Sequence, residues 1–171
     1  AIAVIDIRGH VPSVIGDDYL AAHARTAQQA RGLAASIASE LDERQARTPG
    51  ERARSPRVVV LVDDYDIVSA GGTDPLMPLL PFLPSARDLG LHLIITRPVA
   101  GAGRAMYDRV LQVTRDTGGS LLLMSGERSE GQIMPRVYPE RFPPGRGRFV
   151  RRGERPHIVQ IALPPNEPPS R

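Results

Sequence analysis

The residues best suited to chemistry are three carboxylates, Asp63, Asp64 and Asp66, which follow the apolar run Val58–Val62 in the stretch RVVVLVDDYD. A carboxylate is a hard oxygen ligand that suits Mg²⁺, and a second one beside it can polarise a water for attack. This chemistry requires a rigid support. A short, continuous, β-branched run reads as a strand buried on both faces, the central strand of a parallel sheet. Open α/β sheets bind ligands beyond the carboxyl ends of such strands. In this reading Asp63 stands beside Mg²⁺ and position 64 handles the attacking water. An Asp that only caps a turn produces the same local pattern.

An acidic pair ending a buried strand has the form of a Walker B motif. The phosphate-cradling partner of that motif is G-x-x-x-x-G-K-[ST], whose Lys reaches the β- and γ-phosphates. All 22 basic residues of the chain are Arg and none is Lys, so no segment here can supply it. There is no Cys, which excludes disulfides, zinc fingers and a cysteine nucleophile. His10, His23, His92 and His157 are scattered without metal-ligand spacing. The net charge of +3 and pI of about 9.9 reflect an Arg-rich surface with acidic residues interspersed. The basic balance could attract nucleic acid, but with aromatics at only 4% an ordinary mixed-charge surface is the favoured reading. No apolar run has the length of a membrane span and no signal peptide opens the chain. The expectation is a folded domain on the cytoplasmic side.

The elements needed to hold these carboxylates are legible in outline. Residues 1–7 read as a strand, with Asp6 capping the turn at its end. Starting mid-strand, without Met or a polar lead-in, leads us to expect a piece of a larger protein. Residues 8–20 read as a loop with turn chemistry at Gly16-Asp17-Asp18-Tyr19. Ala21 to about Arg47 is Ala-rich and periodic and reads as one helix, ended by Pro49-Gly50. Residues 50–56 read as a charged loop before the central strand. Residues 75–88 carry four prolines and read as a short or 3₁₀ helix with an apolar face, packed on the sheet or exposed as a partner groove. Residues 91–96 read as the next buried strand, with His92 as a satisfied core residue. A helix near 104–116, a strand at 120–124, a polar loop, a Pro/Gly/Arg loop at 139–148 and a hairpin of 148–152 with 156–163 complete the chain. The order implies an α/β fold, mainly parallel, with helices on both faces.

Taken in succession, RVVVLVDDYDIV, PLMPLLPFLPSARDLGLHLIITR, GRAMYDRVLQ, LLLMSGERSEGQIM and PPGRGRFVRRG resemble the FtsK/SpoIIIE class of P-loop ATPases. More narrowly, they resemble the last ATPase domain of EccC, the motor of bacterial type VII (ESX) secretion systems. The resemblance covers nearly the whole chain. It implies a RecA-like P-loop core over residues 1–163, the Walker A part absent, a C-terminal β-hairpin, and a disordered tail at 164–171. It implies ATP and Mg²⁺ as cofactors. Asp63 takes the Walker B Mg²⁺ position, acting on the metal indirectly, and Asp64 the position of the catalytic Glu. Thr96 and Arg97 end the sensor strand, and Gly145, Arg146 and Gly147 form the GRG loop near the nucleotide base. Among Arg87, Arg97, Arg104 and Arg146, the last is the best candidate for a ligand or inter-subunit contact.

Two departures from the family pattern carry physical meaning. Asp64 is one methylene shorter than Glu, and displacement of a catalytic group by about an ångström can cost on the order of 10²-fold in rate. The Gln of the family's T-Q-R-P signature is missing after Thr96. The expectation is a nucleotide-binding, hydrolysis-poor domain whose partners are Esx (WXG100) substrates recognised by their C-terminal signal, other ATPase domains of the same motor, and a membrane-embedded secretion complex. Oligomer formation within that machine is expected and nucleic acid is not favoured. A DNA-translocating FtsK-type motor and a nucleotide-free scaffold for oligomer contacts are the alternatives.

Overall fold

The computed structural model describes residues 2–72 and 74–162; the tail expected at 164–171 lies outside them. The chain divides into two compact units, Ala1–Arg97 and Pro98–Arg171.

The first unit is built on a four-stranded parallel sheet in the order β2-β1-β3-β4. Its strands are β1 (Ile2–Ile5), β2 (Leu20–Ala24), β3 (Val58–Val62) and β4 (Leu91–Ile95). The run Val58–Val62 lies between β1 and β4 and is parallel to both, with Val60 and Val62 fully buried. The parallel sheet with flanking helices expected from the apolar runs is therefore present. β2 departs from expectation, because Leu20 reads as the end of a loop and Ala21–Ala24 as the start of the long helix. Alanine is compatible with either state, and the parallel ladder from Ala3, Val4 and Ile5 to Ala22, His23 and Ala24 decides for the strand. Helix α1 (Ala27–Ala46) starts only at the Thr26 cap, whose side chain accepts from the Gln29 N–H.

The segment expected as a charged loop contains a short helix, α2 (Pro49–Arg54). Thr48 and Glu51 cap it reciprocally, and Pro49 occupies its first turn, where a missing N–H costs nothing. After β3 come α3 (Tyr65–Val68), a 3₁₀ segment over Met77–Ser85 and α4 (Ala86–Leu89). In the proline-broken stretch Leu76, Leu79, Phe82 and Leu83 are buried, and the segment packs against α1. Those side chains belong to the core, which removes them from any exposed groove. Arg44 of α1 is buried and clamps this side of the unit. Its guanidinium donates to the carbonyls of Pro56 and Leu89 and to Glu40, which is thereby held below the usual carboxylate range. His92 is exposed rather than in the core: β4 borders this sheet, and residues 92, 94 and 96 share its exposed face.

In the second unit the expected single helix is two, α5 (Ala102–Ala105) and α6 (Arg109–Asp116), the latter capped by Asp108. Strands β5 (Leu121–Leu123), β6 (Arg146–Val150) and β7 (His157–Gln160) form an antiparallel sheet in sequence order. The C-terminal hairpin is thus present as β6–β7. β6 starts at Arg146, inside the stretch expected as a loop. Leu123, Ile133, Val137, Val150 and Ala102 make this unit's core.

Candidate functional site

The carboxyl ends of β1, β3 and β4 are joined by backbone hydrogen bonds. The Asp63 N–H donates to the Ile5 carbonyl at 2.9 Å, the Thr96 N–H to Val62 at 2.9 Å, and the Tyr65 N–H to Thr96 at 3.0 Å. This leaves Asp63 and Asp64 side by side just beyond the sheet, with Thr96 next to them.

Thr96 links the two acids. Its hydroxyl donates to Asp63 Oδ1 at 2.5 Å and accepts the Asp64 N–H at 3.2 Å. Asp64 has φ 46° and ψ 54°, the left-handed region, and caps the one-turn helix α3 through its carbonyl, which accepts from Ile67 and Val68. Asp and Asn tolerate that conformation better than Glu does, since a short polar side chain bonds locally. The Asp at this position therefore has a backbone reason as well as a chemical consequence. Its Oδ2 meets Nε of Arg8 at 2.8 Å. Asp66 falls in the first turn of α3, with one buried oxygen that meets no donor among the described residues. Arg97 follows Thr96, half-buried, at the end of the first unit.

Arg8 was not among the residues singled out from the sequence. It sits in a loop ordered by Asp6, whose carboxylate is buried and accepts the N–H groups of Gly9 at 2.8 Å and Val11 at 2.7 Å. Burial alone would push the Asp6 carboxyl above its ordinary range. The N–H groups of Val11, Gly9, Arg8 and His10 outweigh it and hold the carboxyl below its ordinary range. The D-x-x-G spacing was the available signal, since an Asp bonding N–H groups a few residues on is an Asx-type turn.

The fit of Mg²⁺ can be judged from the donors. Among the described residues no group of three or more acidic, His or Cys side chains could cage a metal. Asp63 offers one carboxylate oxygen, Oδ2, that meets no protein donor among the described residues, its other oxygen being taken by Thr96. Mg²⁺ dehydrates reluctantly and keeps several waters beside phosphate oxygens, and a single free carboxylate oxygen suits contact with one of those waters. The residues fit an indirectly held Mg²⁺, which when bound would supply charge neutralisation at the phosphates.

Gly145, Arg146 and Gly147 belong to the second unit. Gly145 turns the chain at φ 74°, and its carbonyl accepts the Ile161 N–H at 2.8 Å. Arg146 is exposed, with Nε donating to Gln160 at 3.2 Å across the hairpin. Gly147 is buried, and a Cβ there would come within 2.9 Å of the Leu123 carbonyl and of Met124 Sδ. The glycine is required by strand packing. Arg87 and Arg104 are exposed.

No family model matches the chain. Among curated proteins it is similar to the ESX-4 secretion system protein EccC4 of Mycobacterium tuberculosis, 39% identical over 173 residues, covering 95% of this chain and 14% of that protein. Among solved structures it is similar to the cytoplasmic domain of the Thermomonospora curvata type VII secretion ATPase EccC. That match has a TM-score of 0.86 and 33% identity over 96% of this chain and 20% of the other. It is also similar to ATPases 2 and 3 of T. curvata EccC in complex with a signal sequence peptide, with a TM-score of 0.85, 32% identity, and coverage of 96% of this chain and 31% of the other. The chain spans 14% of the length of the EccC4 relative, a segment of a protein several times longer. In sequence and in fold, this chain belongs with the ATPase domains of the EccC proteins of ESX, or type VII, secretion.

Proposed function

We propose that this segment is the metal-side part of a nucleotide site in a type VII secretion ATPase, that it binds Mg-ATP through Asp63 and hydrolyses it poorly, and that it serves on the cytoplasmic side of the membrane in recognising and regulating export of Esx (WXG100) substrates. The observation that carries the reading is the pair Asp63–Asp64 at the carboxyl end of the interior strand β3, with Thr96 bonded to both. Asp63 keeps one oxygen for a hydrated Mg²⁺. Asp64 is short and is fixed by its left-handed backbone. Each of these weakens it as the residue that would orient a water. Thr96 and Arg97 belong to the phosphate side of the reading.

Substrate recognition is supported by likeness, since a neighbour in fold is described with a signal sequence peptide bound. The buried state of Leu76, Leu79, Phe82 and Leu83 argues against residues 76–83 as the receptor. The test is calorimetric titration of Mg-ATP into the full polypeptide carrying this segment, beside Asp63→Asn, and of an Esx C-terminal peptide. Loss of Mg-dependent affinity in Asp63→Asn is expected, at about tenfold or more. Equal Mg-ATP affinity in the two proteins overturns the nucleotide reading, and absence of peptide binding overturns the recognition role.

A further inference from the structure

We propose that Arg8 is an anion-responsive latch on Asp64: its guanidinium holds the Asp64 carboxylate until a phosphate group at the carboxyl end of the sheet takes Arg8 away. The inference rests on the preceding reading for the identity of the anion, a nucleotide's terminal phosphate, but not for the exchange itself.

Both backbones in the pair are fixed. The loop bearing Arg8 is fastened to the buried Asp6 by the Gly9 and Val11 N–H groups, and Gly9 turns at φ 79°. Asp64 is fastened by its N–H on Thr96 and by the helix turn it caps. Side-chain torsions alone are enough to open the 2.8 Å contact between Arg8 Nε and Asp64 Oδ2.

The pair is also weak enough to open. The Arg8 side chain is 58% exposed and that of Asp64 26%, so water screens their attraction. A fully buried pair would behave as a structural strut, and its opening would strand a charge. A phosphate offers more charge and more acceptor oxygens than one carboxylate, and a guanidinium matches that geometry with paired donors. In a chain without Lys, an exposed Arg beside the acidic pair is suited to such an exchange. Closed, the latch neutralises Asp64 and leaves Asp63, held by Thr96, as the acid open to the metal. Open, it frees the carboxylate at position 64 only when phosphate is present.

Inorganic tripolyphosphate is the probe, titrated into this chain while the Arg8 Nε–H and Asp64 carboxyl resonances are followed by nuclear magnetic resonance. Both signals are expected to move together with one midpoint. Asp64→Asn, which removes the competitor, should tighten tripolyphosphate binding by up to about fivefold, the scale of an exposed ion pair. Arg8→Gln should abolish the Asp64 response. Silence of both signals, movement of Arg8 without Asp64, or unchanged affinity in Asp64→Asn overturns the latch. If Asp63→Asn leaves Mg-ATP affinity untouched while the coupled tripolyphosphate response persists, the nucleotide reading falls and the latch stands. If Mg-ATP affinity depends on Asp63 and the coupled response is missing, the latch falls and the nucleotide reading stands.

Discussion

The Thr96 hydroxyl donates to Asp63 Oδ1 while accepting the N–H of Asp64, so one side chain just past β4 orients both acids that follow β3. Thr96→Val keeps the shape and β-branching but removes both bonds. The Asp64 N–H would then lack its acceptor and Asp63 its rotamer restraint. We expect a stability loss of about 1 kcal/mol in urea unfolding, limited by the exposure of the site. Mg-ATP affinity should fall severalfold, and Thr96→Ser should restore most of both. A valine variant with native stability and affinity would show that the hydroxyl positions nothing.

Asp6 contributes to the acid sensitivity of the first unit. Its folded carboxyl is held below the ordinary value of 3.8, so the folded state binds its proton less readily than the unfolded chain. Its contribution is therefore fully present above the unfolded value and is lost as pH falls through the lower folded one. Glu40 and Glu51 are lowered too, by hydrogen bonds from Arg44 and from Thr48 respectively, and add to the same limb. Chemical unfolding between pH 7 and pH 2.5 should show stability falling below about pH 4. Asp6→Asn should be less stable at pH 7, since an amide has one acceptor oxygen for the two N–H groups of Gly9 and Val11. It should also show a flatter acid limb. An unchanged slope in Asp6→Asn would assign the acid loss elsewhere.

What the sequence disclosed depended on whether the cause was local. The apolar run Val58–Val62 with its acids is a local pattern, and it correctly predicted an interior parallel strand. The 3₁₀ character of Met77–Ser85 followed from the prolines themselves. Strand β2 was hidden because Leu20–Ala24 carries no β-branched residue, and only its pairing with β1 makes it a strand. Helix α2 was overlooked although its Thr48–Pro49–x–Glu51 capping signature is readable. The exposure of His92 depends on strand order, which an apolar run alone does not state. Arg8 was invisible for a similar reason. An ion pair between a loop after β1 and the end of β3 exists only once the two strands are adjacent.

Asp64 gives a test in which chemistry and backbone oppose each other. Asp64→Glu extends the carboxylate toward a water, but places a longer side chain at φ 46°. We expect stability to fall by up to about 1 kcal/mol. Phosphate release from Mg-ATP by the full polypeptide should rise by on the order of 10-fold or more, if reach limits the reaction as displacement arguments suggest. A folded Glu variant with unchanged turnover would show that carboxylate reach is not what keeps hydrolysis slow.

The GRG stretch separates a structural glycine from an available arginine. Gly147 is buried against β5, where an added Cβ would lie 2.9 Å from the Leu123 carbonyl and from Met124 Sδ, and 3.2 Å from Leu122 Cδ1. The sulfur and the leucine methyl can swing aside; the carbonyl is part of the β5–β6 ladder and cannot move without breaking it. Gly147→Ala should therefore destabilise the second unit by about 1–3 kcal/mol, seen as faster amide exchange at Leu121–Leu123. Arg146→Gln removes an exposed guanidinium whose Nε bonds Gln160, and should change stability by less than about 0.5 kcal/mol. If Arg146 contacts the nucleotide, Arg146→Gln lowers Mg-ATP affinity at constant stability, whereas Gly147→Ala lowers both together. Equal affinity in Arg146→Gln and the wild type would leave the stretch a purely structural strand entrance, with its second glycine explained by the close approach of β5.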